Sequence, residues 1–232
     1  MPANKQNQLD AFIKAIGLNA WSATILSAAL NTNRIHLPVS RKSRLTTYGP
    51  NVNIEMKHIP SQYEMILHSG EFFDYTLPEK CTYRIDDIAH ALANTCRFGG
   101  HSEVFYSVAQ HSVHVSEIVR PKFAKHALLH DASEFILGDI PKPLKRLLHD
   151  YQQLEGYIEE LIYTKFGLYP SQPPEVHRAD MVMLQQEQEY FTKGWHDPNA
   201  YTLASHEEVP LTAWSPIQAE ANFLARFTAI FP

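Results

Sequence analysis

Four side chains of types that bind divalent metals occur in three separated segments of this chain. His111 lies in YSVAQHSVHV, the adjacent His130 and Asp131 lie in ALLHDASEFILGD, and Asp180 lies in VHRADMVML. Each segment has the periodicity of a helix, and each of these polar residues lies on the stripe that is otherwise apolar. Two imidazoles and two carboxylates suit zinc, manganese, iron or cobalt better than calcium or magnesium. The sequence therefore predicts a transition-metal site where three helices meet.

Hydrophobic residues at helical spacing flank His111 on the predicted buried face of its helix. They are Val104, Val108, Val115 and Ile118. Asp180 has the same kind of position, between Val176 and Met183. A buried carboxylate is costly unless a cation or a hydrogen-bond donor compensates its charge. A bound metal ion would provide that compensation.

Each of these residues also has an ordinary structural explanation. His111 is compatible with a hydrogen-bonded core histidine, and an adjacent His130 and Asp131 arises readily by chance in a chain with 13 histidines. Asp180 is close enough in sequence to Arg178 to form a surface ion pair. The joint occurrence of all four residues on inward faces of predicted helices favours the metal site.

The order of these residues, H…HD…D, resembles the HD superfamily of metal-dependent phosphohydrolases. The segment HDASEFILGDIPKPLK, from His130 to Lys145, is similar to the matching stretch of bacterial 5′-deoxynucleotidases and of phage-encoded relatives, some of which are dATP triphosphohydrolases. RFGGH (Arg97 to His101), FYSVAQHS (Phe105 to Ser112) and SGEFFDY (Ser69 to Tyr75) strengthen the similarity. The resemblance covers about residues 65–185 and implies an all-α fold, an HD-domain helical bundle.

Metal ligands and catalytic carboxylates follow from this resemblance residue by residue. It implies that the metal ligands are His111, His130, Asp131 and Asp180. Glu134 matches the carboxylate that positions or deprotonates the attacking water, and it lies four residues after His130, on the same side of a helical turn. Asp139 matches an acidic residue on the sugar side of the pocket and is the second predicted catalytic residue.

The resemblance also implies residues that contact the substrate. Arg97 matches an arginine that faces the nucleotide, and Lys145 matches a lysine near the phosphates. Phe98 is predicted to bind substrate, at a position where the deoxynucleotidases carry tryptophan. His177 lies three residues before Asp180, so we expect it to face the same pocket and contact phosphates.

These residues predict a divalent-metal-dependent hydrolase of (deoxy)nucleotide phosphates. The similarity of RFGGH and YSVAQHS to the phage-encoded relatives favours a dNTP triphosphohydrolase of the dATP type. A 5′-deoxynucleotidase acting on dNMPs is the alternative. A nucleotide-sensing module with little turnover is the alternative from another class, which Glu134, Arg97 and Lys145 disfavour. The expected cofactor is one divalent ion of zinc, cobalt or manganese, with iron or nickel as further options and a second divalent ion allowed.

Composition restricts the partners. The net charge of the 232 residues is −5, which argues against binding to a nucleic-acid polymer but not against a nucleotide held through a dication. Cys81 and Cys96 form no CxxC motif, which suits a reducing compartment. The start lacks a signal-peptide pattern, and the stretch from Ala11 to Leu30 is too polar for a membrane span. We therefore expect a cytoplasmic protein, without a membrane partner, that forms a homo-oligomer.

Sequence patterns divide the chain into an N-terminal extension, residues 1–62, and an HD phosphohydrolase domain, residues 63–232. The extension is predicted to contain a helix and a long loop with the basic RKSR cluster. A short hairpin or an irregular segment is expected between Ser61 and Tyr83. The predicted helices are Ile85 to Cys96, His101 to Val119, Pro121 to Leu137, Lys145 to Phe166, Pro174 to Thr192 and Pro216 to Phe231.

Overall fold

A computed structural model describes residues 60–193 and 211–231 of the chain. Nearly all of the predicted N-terminal extension, residues 1–62, with its helix and its RKSR cluster, lies outside the described residues. The described residues belong to two compact units. One unit contains residues 60–66 and 72–82, and the other contains residues 67–71, 83–193 and 211–231.

The first unit contains the predicted hairpin. Strand β1 (Glu64–Ile66) pairs antiparallel with strand β2 (Phe72–Asp74), with Met65 opposite Phe73. A 3₁₀ turn, Pro78–Lys80, follows β2. The hairpin prediction for this segment is therefore confirmed.

The second unit contains all the described α-helices and all the predicted site residues. Its α-helices are α1 (Ile85–Asn94), α2 (Val108–Ile118), α3 (Ala124–Leu128), α4 (Glu134–Leu137), α5 (Lys142–Lys145), α6 (His149–Lys165), α7 (Pro174–Phe191) and α8 (Pro216–Ile230). The chain is predominantly helical, as predicted. None of the helices in the described part of the chain is long and apolar enough to cross a bilayer.

Helix α2 lies at the centre of this unit. It packs against α1, α3, α7 and α8, and every residue from Val108 to Ser116 is buried. Ser107 caps the helix, because its side chain accepts a hydrogen bond from the amide of Gln110. A helix buried on all sides removes its polar side chains from water, so each of them needs a partner inside the protein.

Two long helices complete the packing around α2. Helix α7 begins at Pro174, a residue favoured in a first helical turn. Helix α8 begins with a reciprocal capping box between Ser215 and Gln218, and it packs against α1, α2 and α3. Helices α2 and α7 lie next to each other.

Two of the predicted helix starts are wrong. The helix predicted from His101 begins only at Val108, because residues 102–104 form a bend and Ser107 forms an antiparallel β-bridge with Cys96. Val104 is consequently outside the helix and 47% exposed, so it does not belong to the buried stripe around His111. The helix predicted from Lys145 begins only at His149, as α6, and Lys145 itself ends the short helix α5.

The single helix predicted from Pro121 to Leu137 is also wrong. The chain forms a 3₁₀ turn, then α3, then a tight turn through residues 129–133, and then α4. Hydrogen bonds in this turn span three residues, as between the amide of Glu134 and the carbonyl of Asp131 at 3.0 Å. The His130 side chain donates to the Ala127 carbonyl, the acceptor that the Asp131 amide would use in a continuous α-helix. His130 and Asp131 therefore lie in a turn, and Glu134 does not share a helix with them.

Candidate metal centre

The predicted ligands come together from two helices and one turn. His111 lies in the middle of α2, His130 and Asp131 lie in the turn between α3 and α4, and Asp180 lies in the first half of α7. Both histidines are buried, whereas the side chains of Asp131 and Asp180 are about a quarter exposed, at 23% and 25%. The cluster is thus closed on the histidine side and accessible on the carboxylate side.

The ligand atoms of these residues converge. Nε2 of His111 lies 3.2 Å from Nε2 of His130. Oδ2 of Asp131 lies 3.2 Å from the His130 nitrogen and 3.5 Å from the His111 nitrogen. His111, His130 and Asp131 therefore form a group that can hold a metal ion. Oδ1 of Asp180 lies 3.2 Å from Nε2 of His111 and 3.9 Å from Nε2 of His130, which makes it the fourth candidate ligand.

These separations fit a transition metal. Nitrogen and oxygen ligands bind zinc at about 2.0–2.2 Å, so neighbouring ligands around one ion lie roughly 3–3.5 Å apart. The distances among the two imidazoles and Asp131 lie in this range. Calcium takes six to eight oxygen ligands, which this set does not provide. The donor set therefore fits zinc, cobalt or manganese, and the identity of the ion remains a prediction.

Each imidazole has a partner on its other nitrogen. Nδ1 of His130 lies 2.8 Å from the carbonyl oxygen of Ala127, and Nδ1 of His111 lies 2.6 Å from Oε1 of Glu187. Both partners are acceptors, so the proton of each neutral ring lies on Nδ1. The lone pair of each Nε2 then faces the cluster, as a metal ligand requires.

Arg97 contacts the cluster directly. Its Nη1 lies 3.4 Å from Oδ2 of Asp131, and its Nε lies 3.1 Å from Oε2 of Glu187. The guanidinium is 9% exposed, and the two carboxylates hold its pKa well above the ordinary value despite burial. Arg97 therefore stays positively charged beside the predicted metal ligands.

Glu187 and Tyr106 are hydrogen-bonded to the cluster's surroundings, and the sequence analysis missed both. Glu187 is fully buried in α7 and accepts hydrogen bonds from His111, from Arg97 and from the hydroxyl of Tyr106, which lies 2.8 Å away. We call Arg97, Tyr106, His111 and Glu187 the inner network. A signal was available, because Glu187 lies seven residues after Asp180 and so on the same side of α7.

Charges around the cluster favour ionised side chains in the metal-free protein. Burial and Arg97 lower the pKa of His111, but Glu187 and Asp180 outweigh them and raise it to about 9. His130 also has a raised pKa, since Asp131 and Asp180 outweigh burial. Burial alone would raise the pKa of Asp131, yet the nearby His130, His111 and Arg97 hold it well below its usual range. A cation bound here would replace the protons on the imidazoles.

Glu134 is buried beside the cluster and only partly paired. Its Oε1 lies 4.0 Å from Nζ of Lys145, and its Oε2 has no hydrogen-bond partner among the described residues. Burial, Asp131 and Asp139 raise its pKa well above the ordinary value, although Arg97 and Lys145 oppose this rise. Perturbed buried acids of this kind are typical of catalytic sites.

Lys145 links Glu134 to helix α6. Its Nζ lies 2.6 Å from Oε1 of Glu155, so Glu155 holds the lysine near Glu134. Asp139 is half-buried, and burial raises its pKa even though Arg97 opposes the effect. We call Glu134, Asp139, Lys145 and Glu155 the outer rim. The structure thus places the predicted residues Glu134, Asp139 and Lys145 in one electrostatic environment with Asp131.

Phe98 borders a pocket beside Arg97. The pocket has a volume of about 770 Å³, and its walls include Phe98, His101, Pro141 and Lys193. Phe98 has a φ of 59°, and it is the sole residue other than glycine with a positive φ in the described ranges. Bulky side chains rarely adopt this conformation, and such outliers concentrate at functional sites. The Arg97 guanidinium carbon lies 5.6 Å from the centre of the Phe98 ring.

Other histidines near the cluster in sequence have separate roles. His177 is exposed on α7, so its burial does not support the prediction that it faces the pocket and contacts phosphates. Nε2 of His126 lies 3.1 Å from the carbonyl of Tyr169, and the ring of His114 packs against Trp214 with centroids 5.0 Å apart. His126 and His114 thus have structural partners away from the predicted ligands.

Comparison with known proteins finds relatives that match about half of this chain. No family model matches the chain. The YfdR protein of Escherichia coli K12 is 49% identical over 119 residues, which are 51% of this chain and 67% of that protein. A protein of Rhodobacter capsulatus is 34% identical over 121 residues, which are 48% of this chain and 62% of the relative. Both relatives are named as uncharacterized, and the chain belongs to the same family as YfdR.

Proposed function

We propose that this chain is a divalent-metal-dependent phosphohydrolase of the HD type that acts on (deoxy)nucleotide phosphates. The observation that carries this proposal is a pair of converging imidazole nitrogens with two carboxylates, next to a buried glutamate with an oxygen that no described residue hydrogen-bonds. His111, His130, Asp131 and Asp180 would hold the ion. A divalent ion in such a set polarises a phosphoryl oxygen and lowers the pKa of bound water to about 7.

Glu134 takes the role of general base. Its Oε2, which has no hydrogen-bond partner in the described part of the chain, provides an acceptor beside the cluster, where the attacking water is expected. A base is most effective when its pKa lies near the working pH, and burial moves the pKa of Glu134 upward in that direction. Lys145, at 4.0 Å, helps to keep this carboxylate near the cluster.

Arg97 and Lys145 supply positive charge for the phosphate oxygens. Arg97 already contacts Asp131, so its guanidinium is fixed at the edge of the predicted metal site. Phosphate groups prefer such planar, bidentate donors. Lys145 is 26% exposed, and a phosphate oxygen can compete with Glu155 for its ammonium group.

The pocket beside Phe98 supports a nucleoside as the rest of the substrate. Its aromatic and proline walls suit an apolar ring, and Phe98 follows directly after the predicted phosphate-binding Arg97. A nucleotide with its phosphate near Arg97 would place its sugar and base on this side. Asp139 precedes Pro141 by two residues and is the predicted sugar-side carboxylate.

Two substrates are candidates within this class. A dNTP triphosphohydrolase is the first candidate, on the resemblance of RFGGH and YSVAQHS to the phage enzymes. The charges of the outer rim favour the second candidate, a 5′-deoxynucleotidase, because Asp139 and Glu155 oppose the binding of several phosphates. A monophosphate brings fewer negative charges to the same site.

A product screen tests the proposal. The full chain is reconstituted separately with Co²⁺, Mn²⁺, Zn²⁺ and Mg²⁺ and incubated with each dNMP, dNTP and NTP, and the products are separated by ion-exchange chromatography. Triphosphate with nucleoside identifies the first candidate, and orthophosphate with nucleoside identifies the second. Nucleotide binding without any product, in the presence of every metal, would replace the hydrolase with a nucleotide sensor.

A further inference from the structure

The two histidines of the cluster are oriented by chemically different partners. Nδ1 of His130 donates to the backbone carbonyl of Ala127 at 2.8 Å, in the same turn of the chain. Nδ1 of His111 lies 2.6 Å from a carboxylate oxygen of Glu187, a residue 76 positions away. The orientation of His130 is therefore determined by local backbone structure, whereas that of His111 depends on a single distant side chain.

Glu187 has the contacts that this role requires. Its side chain is 0% exposed, and both of its oxygens accept hydrogen bonds. Oε1 accepts from His111 and from the Tyr106 hydroxyl at 2.8 Å, while Oε2 accepts from Nε of Arg97 at 3.1 Å. Donors surround the carboxylate, so its position and its acceptor character are both fixed.

We propose that Glu187 is a positioning residue for metal binding, which holds the proton of His111 on Nδ1 and thereby directs the Nε2 lone pair at the metal site. This inference rests on the proposed metal centre, but it does not depend on which substrate is hydrolysed. A carboxylate behind a metal-binding histidine also increases the basicity of the ligand nitrogen. Glu187 thus controls both the direction and the strength of one ligand.

An amide in place of this carboxylate, as in Glu187→Gln, cannot satisfy all three partners. If the amide oxygen faced His111 and Tyr106, the NH₂ group would meet Nε–H of Arg97, donor against donor. If the amide turned round, its NH₂ group would face Nδ1 of His111 and favour the ring with its proton on Nε2. That tautomer presents no lone pair to the metal. The shape of the side chain is the same in both cases, so the expected defect is chemical.

Two matched variants separate this role from packing. Glu187→Gln removes the carboxylate, whereas Tyr106→Phe removes a hydrogen bond to the same oxygen and leaves the carboxylate and the buried ring in place. Dissociation constants for Co²⁺ are measured by competition with a chelator, and visible absorption reports the ligand geometry of the cobalt. We expect Glu187→Gln to weaken Co²⁺ binding roughly 10- to 100-fold and to change the spectrum. Tyr106→Phe should weaken binding less, because the carboxylate of Glu187 still accepts the hydrogen bond from Nδ1 of His111.

A Glu187→Gln variant that binds Co²⁺ with the affinity and spectrum of the wild type would overturn the inference. Equal losses in both variants would overturn it as well, because packing would then explain the effect. If Glu187→Gln does not fold, nitrogen-15 NMR of the metal-free wild type, at a pH where His111 is neutral, decides: a proton on Nδ1 of His111 supports the role, and a proton on Nε2 refutes it. A wild type that binds Co²⁺ without turnover would refute the proposed hydrolase and leave the role of Glu187 intact.

Discussion

The inner network and the outer rim both border the cluster and differ in how completely their side chains are hydrogen-bonded. In the inner network, Glu187 alone accepts three hydrogen bonds, and every member of the network contacts it. In the outer rim, Oε2 of Glu134 has no partner among the described residues, and Lys145 lies 4.0 Å from its other oxygen. Both carboxylate oxygens of the inner network accept hydrogen bonds within the protein, whereas the outer rim has a carboxylate oxygen that can still accept one from a ligand or a water.

Because of this difference, we expect the inner network and the outer rim to have separate tasks. A fully paired buried network holds its members in one geometry, which is what a metal ligand such as His111 needs. An unpaired buried oxygen is costly, and it becomes useful when a substrate or a water supplies the missing donor. Changes in the inner network should therefore alter metal binding, and changes in the outer rim should alter turnover.

The largest effect is expected from Asp131→Ala, because Asp131 belongs to the cluster and also contacts Arg97. Loss of a charged ligand should abolish both metal retention and activity. Metal content after dialysis and nucleotide hydrolysis measure the two effects. Asp150→Ala, at an exposed position of α6, is the control that should change neither. Stoichiometric metal in an active Asp131→Ala protein would contradict the ligand set.

Glu134→Gln tests the outer rim by itself. The amide keeps the shape of the side chain but cannot accept the proton of the attacking water, so turnover should fall by about 10²- to 10⁴-fold. Metal content and nucleotide affinity, measured by calorimetry, should stay close to wild type. Glu160→Gln, on the exposed face of α6, is the control. Turnover at the wild-type rate would remove Glu134 from the mechanism.

Arg97→Ala tests a residue of the inner network that is also predicted to bind phosphate. A hydrogen bond to a charged group contributes about 1.5–3 kcal/mol, so nucleotide affinity should fall by roughly 10- to 100-fold. Affinity for the corresponding nucleoside should change much less. Arg120→Ala, which breaks an exposed ion pair with Glu175, is the control. Equal losses for nucleotide and nucleoside would mean that Arg97 contacts the sugar or the base.

The smallest effect is expected in the pH dependence of metal binding. Metal ligands must be deprotonated, and the pKa of His111 in the metal-free protein is raised to about 9. Binding of Zn²⁺ at pH 7 should therefore release about one proton from this group, and the apparent affinity should rise roughly tenfold per pH unit up to about pH 9. Calorimetry in buffers with different ionisation enthalpies counts the released protons. Affinity that is independent of pH between 7 and 9 would contradict the raised pKa of His111.

Sequence patterns located the cluster better than the helices that carry it. His111 and Asp180 were placed on inward faces by helical periodicity, and the structure has them within 3.2 Å of each other. The turn that contains His130 was predicted as helix, because nothing in the local pattern reports that a side chain takes the Ala127 carbonyl. The start of α2 was also mispredicted, although Ser107 is a strong capping residue.

Hydrogen bonds between residues far apart along the chain could not be predicted from the sequence. Glu187 looks like an ordinary charged residue of an amphipathic helix, and its role depends on Tyr106, His111 and Arg97, which lie 76 to 90 positions away. Its position seven residues after Asp180 offered a hint, but helical spacing alone does not identify a partner. The separation of the site into a paired side and an unpaired side is likewise visible only in the structure.

A crystal structure of the Co²⁺-loaded protein, with anomalous diffraction recorded at the cobalt edge, tests the central claim most directly. The account predicts one anomalous peak per chain, within about 2.0–2.2 Å of Nε2 of His111 and His130 and of carboxylate oxygens of Asp131 and Asp180. An anomalous peak bound by other residues, or the absence of a peak in crystals that contain cobalt, would contradict the metal centre.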